Sequence, residues 1–301
     1  MRQNEGLEAE DMAAINEEQA DEEDLLTTLA DVLGHLLKLS EGALMNLYDT
    51  VVAPFFVSMV QATQSQQVQV IGVCILDDLI EFGKQGAIKY VPYAVPYFTE
   101  FIVSDHIVLR QAASYGIAQA ARCASNAFAP FISTVLPKLF IALEGLKSEG
   151  NDDNLGAIEN IIFSMGLIHC TSIYQTCDWG GVTRGKVAET WLDYLPLRAD
   201  ETEAKMSSEM FCNCLESMDS YILGAHLCYL PKVIRVCAEI LVGSTDVDEE
   251  NGDCAIAYPS TAQRLIHIVR QLASSSPSEC FNAAAGSLLA PLREALWKFC
   301  F

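Results

Sequence analysis

The chain has 301 residues, of which 51% are apolar and 19% are charged, and its formal net charge is −22 at pH 7. This apolar fraction is ample for a folded core, and the length fits either two ordinary domains or one elongated array of repeats. Nucleic-acid binding depends on Lys and Arg side chains at phosphates, so the acidic excess argues against it. The composition favours basic protein partners instead.

Acidic residues are concentrated in two stretches of the chain. Residues 1–24 contain ten Asp or Glu and a single base, Arg2, and the segment from Asp246 to Asp253 contains five more acids. Such blocks are usually solvated segments and less often interaction arms. We therefore expect a mobile acidic arm or a helix over residues 1–23, and an acidic loop over residues 244–256.

The N-terminus has neither the basic patch nor the apolar run of a secretory signal peptide, and no uncharged apolar stretch reaches membrane-spanning length. Neither secretion nor membrane insertion is expected on these grounds. The eleven cysteines are then expected to be reduced thiols. Those that fall within apolar helical patterns behave as small buried hydrophobes.

Helical periodicity dominates the chain. Between Asp24 and Leu39, apolar residues recur at three- and four-residue spacing, and Asp24 is placed to cap the resulting helix. Equivalent patterns continue to Phe299. The spacing predicts an all-α fold with a repeat region over residues 24–275 and a C-terminal capping helix over residues 276–301.

The helical segments also repeat. VIGVCILDDL, from Val70 to Leu79, aligns with QAASYGIAQA, from Gln111 to Ala120, at an offset of 41 residues, and a bulky helix containing proline precedes each. A period of about 40 to 47 residues is typical of HEAT and armadillo repeats. Small residues then allow inner helices to approach closely, whereas prolines bend the outer helices. We predict a right-handed α-solenoid of HEAT repeats with about six helix pairs.

Eight segments, taken in order, carry a resemblance to a known family. They are LLTTLADVLGHLLK, VIGVCILDDLIEFG, VLRQAASYGIAQAA, AIENIIFSMG, TWLDYLPL, LESMDSYILG, LPKVIRVCAEIL and AQRLIHIVRQL. Together they resemble the C-terminal part of importin beta-3 karyopherins, which are nuclear transport receptors built from HEAT repeats. The resemblance spans residues 20–275. It implies a fragment of a receptor that shuttles between cytoplasm and nucleus and binds basic protein cargo, with Ran and Phe-Gly nucleoporins as further partners.

The resemblance also implies a structural role for one arginine. In this family the inner helix usually begins with an arginine that bridges to acids on neighbouring repeats, as a ladder. Arg110 keeps this residue, whereas Gln69 replaces it one repeat earlier. The resemblance therefore implies a ladder at Arg110 that is interrupted at Gln69.

Acidic residues on the predicted inner helices form a candidate partner-binding face. Opposite charges would steer a basic partner to this face. Asp77, Asp78 and Glu81 could instead suggest acid/base or metal chemistry, but acids on an inner helix more simply make an acidic concave surface. The candidate residues are Asp77, Asp78, Glu81, Glu159, Asn160, Glu209 and Glu216.

Two other functions remain as alternatives. The same fold could serve as a scaffold subunit of a complex unrelated to transport. A zinc-dependent enzyme would need a metal site, and its candidate ligands are His169, Cys170, Cys177, Cys212 and Cys214. However, the sequence has no CxxC pair, and a CxC on a helix directs its two thiols apart. We therefore predict an interaction protein without catalytic activity, metal or cofactor.

Overall fold

A computed structural model describes residues 2–244, 256–275 and 278–301, with side chains described from residue 21 onward except for Ser278. All regular secondary structure in these residues is helical, which agrees with the predicted all-α fold. The chain divides into two compact units, Met1–Phe128 (unit 1) and Ala129–Phe301 (unit 2).

Unit 1 has an inner and an outer layer of helices. Its helices are α1 (Arg2–Ser40), α2 (Met45–Leu47), α3 (Ala53–Met59), α4 (Gln66–Phe82), α5 (Lys84–Ala87), α6 (Val91–Phe101), α7 (Ile107–Cys123) and α8 (Ser125–Phe128). A π-helix over Tyr48–Val52 connects α2 to α3. In the inner layer, α4 packs against both α1 and α7, while α3 packs on α4 and α6 packs on α7 from outside.

The repeat of 41 residues is visible in the inner helices. α4 and α7 are each 17 residues long, and they begin at Gln66 and Ile107, which are 41 positions apart. Each first turn is capped by the preceding side chain, since Ser65 Oγ accepts a hydrogen bond from Val68 N and His106 Nδ1 accepts one from Leu109 N. The sequence period therefore corresponds to one outer helix and one inner helix.

The first helix differs from its prediction. α1 is helical from Arg2 to Ser40, so Asp24 lies within the helix and the prediction that it caps the N-terminus is wrong. The preceding residues contain no proline and are rich in Ala, Glu and Gln, which have high helix propensity. Of the two expectations for residues 1–23, an arm or a helix, the backbone shows the helix.

Unit 2, taken by itself, also has an inner and an outer layer of helices. Its helices are α9 (Ile132–Glu149), α10 (Leu155–Cys170), α11 (Arg184–Tyr194), α12 (Glu201–Glu216), α13 (Ser220–Leu223), α14 (Leu230–Gly243), α15 (Pro259–Ser275), α16 (Ser278–Gly286) and α17 (Ala290–Cys300). The inner helix α12 packs against α10 and α15, whereas α11 packs against α10 and α14. The acids from Asp246 to Asp253, which were predicted to form a loop, lie outside the described residues.

The C-terminal segment contains two helices where one capping helix was predicted. α16 ends at Gly286, and α17 begins at Ala290 with Pro291 in its first turn. Glycine is a poor helix former, and a proline inside a continuous helix would lack the N–H needed for the hydrogen bond to the previous turn. Both helices pack against α14, so they cover α14 at the C-terminal end of unit 2.

One segment passes a membrane-span test that, unlike the sequence criterion used above, tolerates charged residues. Residues 125–149 are long and apolar enough to cross a membrane by length and composition, although the segment is not free of charge, since Lys138 lies within it. The same test is passed by core helices. α9 buries Ile132, Leu136, Leu139 and Leu143, which is the pattern of a helix packed in a protein core.

Candidate partner-binding face

The inner layer of unit 1 contains a cavity of ≈ 290 Å³ between α1, α4 and α7. The residues that α1 contributes are spaced by three and four positions, so they share one face of that helix. Polar and charged side chains make up most of the walls of this site, hereafter the acidic cavity. It is lined by Asp31, Gly34, His35, Lys38, Asp78, Glu81, Phe82 and Tyr115.

Two carboxylates of α4 are accommodated by glycines on the neighbouring helices. A Cβ atom at Gly34 of α1 would overlap the carboxylate of Asp78, and a Cβ atom at Gly116 of α7 would overlap that of Asp77. At Gly116 a larger residue would also meet the fully buried Phe98 ring, so α7 would have to move, whereas at Gly34 the Asp78 side chain could turn aside. The prediction that small residues allow inner helices to approach closely is therefore consistent with the packing at Gly116.

Negative charge accumulates at the acidic cavity. Burial, together with the charges of Glu81 and Asp31, raises the pKa of Asp78 to about 6, although His35 and Lys38 act in the opposite direction. Burial is also the main cause that raises the pKa of Asp77 well above its ordinary range. A raised carboxyl pKa means that the surroundings disfavour the ionised form, and a cation placed nearby would reverse this effect.

Glu81 is held in position by α7. Its Oε2 atom accepts a hydrogen bond from the Tyr115 hydroxyl at 2.7 Å, and its Oε1 atom accepts one from Arg122 Nη2 at 2.8 Å. Asp77 differs from its neighbours because it is buried, with 4% exposure. Of the three acids predicted on α4, Asp78 and Glu81 line the acidic cavity, whereas Asp77 faces the helix packing.

Two of the predicted residues in unit 2 are also buried. Glu159 Oε2 accepts hydrogen bonds from the backbone N–H groups of Arg198 and Ala199, each at 2.7 Å. Charge-assisted bonds of this kind are about twice as strong as neutral ones, and here they fix the loop before α12. Asn160 is buried beside it. The expectation that Glu159 and Asn160 lie on an accessible face is therefore wrong.

Two other predicted acids on α12 are exposed. Glu209 is exposed to solvent, and so is Glu216, which pairs with Arg264 of α15 at 2.6 Å between Nη2 and Oε2. The hydrogen bond from Arg264 lowers the pKa of Glu216. Both carboxylates are accessible to a basic partner, although Glu216 already has one cationic neighbour.

The first helix carries an exposed apolar stripe. Leu25 and Leu39 are 60% and 81% exposed, and three residues between them continue the same spacing. Intervals of three and four residues place all five on one face of α1. The stripe consists of Leu25, Leu29, Val32, Leu36 and Leu39.

Comparison with known proteins gives a consistent result. The chain is 29% identical over 245 residues to a probable importin-5 homologue of Dictyostelium discoideum, an alignment that covers 77% of this chain and 22% of that protein. This similarity supports the resemblance to importin-beta karyopherins that the sequence segments carry. No family model matches the sequence.

Solved karyopherin structures share the fold of this chain. Kap121p bound to the SUMO protease Ulp1p matches with a TM-score of 0.65 at 18% identity, covering 92% of this chain and 23% of Kap121p. Kap121p bound to RanGTP matches with a TM-score of 0.60 at 20% identity, covering 94% of this chain and 24% of Kap121p. The predicted HEAT-repeat fold is confirmed, and the chain spans less than a quarter of the length of these karyopherins.

Arg110, the predicted ladder residue, is buried on α7 with 6% exposure. Its Nη1 atom donates a hydrogen bond to the Ser104 carbonyl at 3.0 Å, which ties the side chain to the loop before α7. Its role in a ladder between repeats stays a prediction.

The predicted zinc candidates separate into two sets. His169, Cys170 and Cys214 lie together, whereas Cys177 and Cys212 lie outside this cluster. Cys177 Sγ donates instead to the Ile173 carbonyl. The sequence prediction missed Asp219, which joins the cluster, and it also missed the α1 residues of the acidic cavity. The spacing of Asp31, His35 and Lys38 on one helix face was the available signal for the latter.

Proposed function

We propose that this chain acts as part of an importin-beta-type nuclear transport receptor that binds basic protein cargo and has no catalytic role. The similarity over 245 residues to the probable importin-5 homologue carries this proposal. The acidic cavity supports it, because a cavity lined by carboxylates on the inner helices suits a Lys or Arg side chain. The structures of Kap121p with Ulp1p and with RanGTP give precedents for protein partners of both kinds.

The acidic cavity would recognise a cation through Asp78 and Glu81, with Asp31 adding long-range attraction. Glu81 is already oriented by Tyr115 and Arg122, so little ordering is required when a ligand arrives. A bound ammonium or guanidinium group favours the ionised form of Asp78. Because the pKa of Asp78 is raised to about 6, affinity for a cation should increase as the pH rises through that value.

The exposed acids of unit 2 extend the proposal. Glu209 and Glu216 lie on the inner helix α12 and are accessible, so they would contact a basic segment of cargo independently of the acidic cavity. By analogy with the related karyopherins, the proposal includes Ran and Phe-Gly nucleoporins as further partners. It also includes shuttling between cytoplasm and nucleus.

The test measures binding of a fluorescent Lys/Arg-rich peptide to the purified chain at low and moderate salt, with and without Ran loaded with GTP. The variant Asp31→Asn/Asp78→Asn removes two charges from the acidic cavity. Its matched control, Glu100→Gln/Asp105→Asn, removes two exposed charges from unit 1 outside the cavity. We expect the first variant alone to weaken binding at least tenfold, and added salt to weaken binding by the wild-type chain.

Either of two results would contradict the proposal. Equal affinities for the two double variants would show that the acidic cavity does not receive the cation. A stable complex isolated from extract that is unaffected by both salt and RanGTP would identify a scaffold with the karyopherin fold instead. Peptide binding that RanGTP releases would support a receptor's cargo cycle.

A further inference from the structure

Three side chains with metal-binding atoms converge at one point in unit 2, and a fourth, Cys170, lies beside one of them. His169 and Cys170 end α10, Cys214 lies near the end of α12, and Asp219 caps the N-terminus of α13. The ligand atoms of His169, Cys214 and Asp219 all lie within 4.8 Å of one another. Cys170 brings a second thiol, with its Sγ atom 3.5 Å from Cys214 Sγ.

This cluster is enclosed by protein. The His169 side chain is fully buried and that of Asp219 is 18% exposed, while Cys214 is 7% exposed. The rings of Trp191 and Tyr221 each lie 6.2 Å from the His169 ring and shield it from solvent. Within the described part of the chain, His169 Nδ1 has no hydrogen-bond partner. The other ring nitrogen, Nε2, faces Asp219 and is the one that would bind an ion in the cluster.

We propose that His169, Cys170, Cys214 and Asp219 bind a structural Zn²⁺ ion. Thiolate, imidazole and carboxylate ligands are the set that zinc uses in proteins, whereas Mg²⁺ and Ca²⁺ require oxygen ligands. The ligands come from three helices of successive repeats, so the ion would join α10, α12 and α13. Four protein ligands leave no open position for substrate, which makes the site structural and compatible with a protein that is not an enzyme.

Two separations within the cluster are close to those of tetrahedral zinc. Bond lengths of about 2.3 Å to sulfur and about 2.1 Å to nitrogen or oxygen give tetrahedral edges of about 3.8 Å between two sulfurs and about 3.4 Å between nitrogen and oxygen. The Cys170–Cys214 separation is 3.5 Å and the separation of His169 Nε2 from Asp219 Oδ2 is 3.2 Å. Small outward movements would bring both pairs to these edges, and the Cys170 side chain would turn towards His169 and Asp219 to complete the tetrahedron.

The surroundings of Asp219 hold its carboxylate in place for this role. Its Oδ1 atom accepts hydrogen bonds from the backbone N–H groups of Tyr221 at 2.8 Å and Ile222 at 3.3 Å. Oδ2 is thereby directed towards His169. Outer hydrogen bonds that orient a ligand are typical of protein metal sites.

A disulfide between Cys170 and Cys214 explains less of the arrangement. It would require the sulfur atoms to approach to about 2.0 Å, and it would leave the buried His169–Asp219 pair without a role. A metal ion uses all four groups. The cluster was hidden from sequence spacing because its two thiols are 44 positions apart, with no local CxxC motif to indicate a zinc site.

The experiment measures zinc in the whole chain, purified without chelators or a metal-affinity tag and dialysed extensively. We expect about one zinc per chain by elemental analysis, and a thiolate-to-metal absorption band in the near ultraviolet after Co²⁺ replaces zinc. Cys214→Ser and Cys170→Ser should each lose most of the zinc and the band. Cys212→Ser is the matched control, because Cys212 lies on the same helix outside the cluster.

Several outcomes would overturn the proposal. One is wild-type protein that neither retains zinc nor binds it when one equivalent is added in competition with a chelating dye. Another is a Cys214→Ser variant that retains as much zinc as Cys212→Ser. A chain lacking zinc whose mass shows a Cys170–Cys214 disulfide would replace the metal site with a redox pair. Circular dichroism establishes that each variant is folded, and Cys170→Ser, at the partly exposed position, provides a second test if Cys214→Ser does not fold.

Discussion

Replacement of Gly116 by alanine should destabilise unit 1 through a defined steric conflict. The new Cβ atom would overlap Asp77 Oδ1 and would lie 2.7 Å from two atoms of the Phe98 ring. Neither neighbour can move aside easily, because Asp77 is 4% exposed and Phe98 is 0% exposed. To relieve the overlap, α7 must shift away from α4 and α6, or the Phe98 ring must move. Overpacking of this kind in a close-packed core typically lowers the free energy of unfolding by about 1–3 kcal/mol.

Gly145→Ala is the matched control for this prediction. Gly145 is exposed on α9, and a Cβ atom there would have no neighbour within 4 Å. Alanine in an exposed helix is favoured over glycine by about 0.5–1 kcal/mol. Both variants gain this helix-propensity term, so they should differ by the overpacking cost alone, about 1–3 kcal/mol in free energy of unfolding.

Urea denaturation followed by far-ultraviolet circular dichroism measures this difference. All three tryptophans, Trp179, Trp191 and Trp297, belong to unit 2. Hydrogen exchange read by mass spectrometry is therefore needed to locate the effect, and it should show lost protection in α4 and α7 of Gly116→Ala. If Gly116→Ala were as stable as Gly145→Ala, the close approach of α4 and α7 would not be a constraint on the fold.

Three further predictions concern charge and exposure. The pKa of Asp78 is raised from 3.8 to about 6, so the folded state binds more protons in this range and stability should fall as the pH rises through it. Asp78→Asn should make the free energy of unfolding less dependent on pH, as measured by urea titrations at pH 5 and 7.5. At the higher pH it should raise the free energy of unfolding by about 1–2 kcal/mol, after allowance for solvent screening. Glu159→Ala should lower the free energy of unfolding by about 2–3 kcal/mol, because it leaves two backbone N–H groups unpaired. Glu216→Ala removes an exposed ion pair and should lower the free energy of unfolding by less than about 1 kcal/mol. Equal urea midpoints for these two variants would refute the predicted difference. Leu29→Lys/Leu36→Lys should reduce binding of a hydrophobic dye with little change in stability, since these side chains are 48% and 43% exposed; unchanged dye binding would show that the stripe is covered.

The sequence predicted the repeat architecture because periodicity reflects a local property of the chain. Apolar spacing identifies a helix, and the offset of 41 residues identifies the next copy of the same helix, as α4 and α7 show. Helix ends were less predictable. Asp24 has the chemistry of a cap, but no proline precedes it, and the helix continues back through Gly6 to Arg2.

The candidate site was harder to predict because burial depends on the neighbouring helices. Glu159 has the sequence context of a surface acid on an inner helix, yet a loop 39 residues later supplies two backbone donors to it. For the cysteines, the neighbouring helices bring together a cluster that the local sequence did not predict. Cys212 and Cys214 do point to different surroundings, as a CxC on a helix should, but Cys214 meets ligands from other repeats that no local motif reveals.

Asp77 and Asp78 show what decides whether an acid on an inner helix can bind a partner. Adjacent residues differ by about 100° around a helix, so one carboxylate faces Gly116 within the helix packing and the other faces Gly34 beside the acidic cavity. In both cases the space for the carboxylate exists because the neighbouring helix carries glycine. Only Asp78 also lines an opening to solvent, on the side where α1 supplies Asp31, His35 and Lys38. A functional acid in this fold is therefore specified jointly by its own helix and by the residues of the next repeat, and α1 decides the accessibility and pKa of Asp78 as much as α4 does.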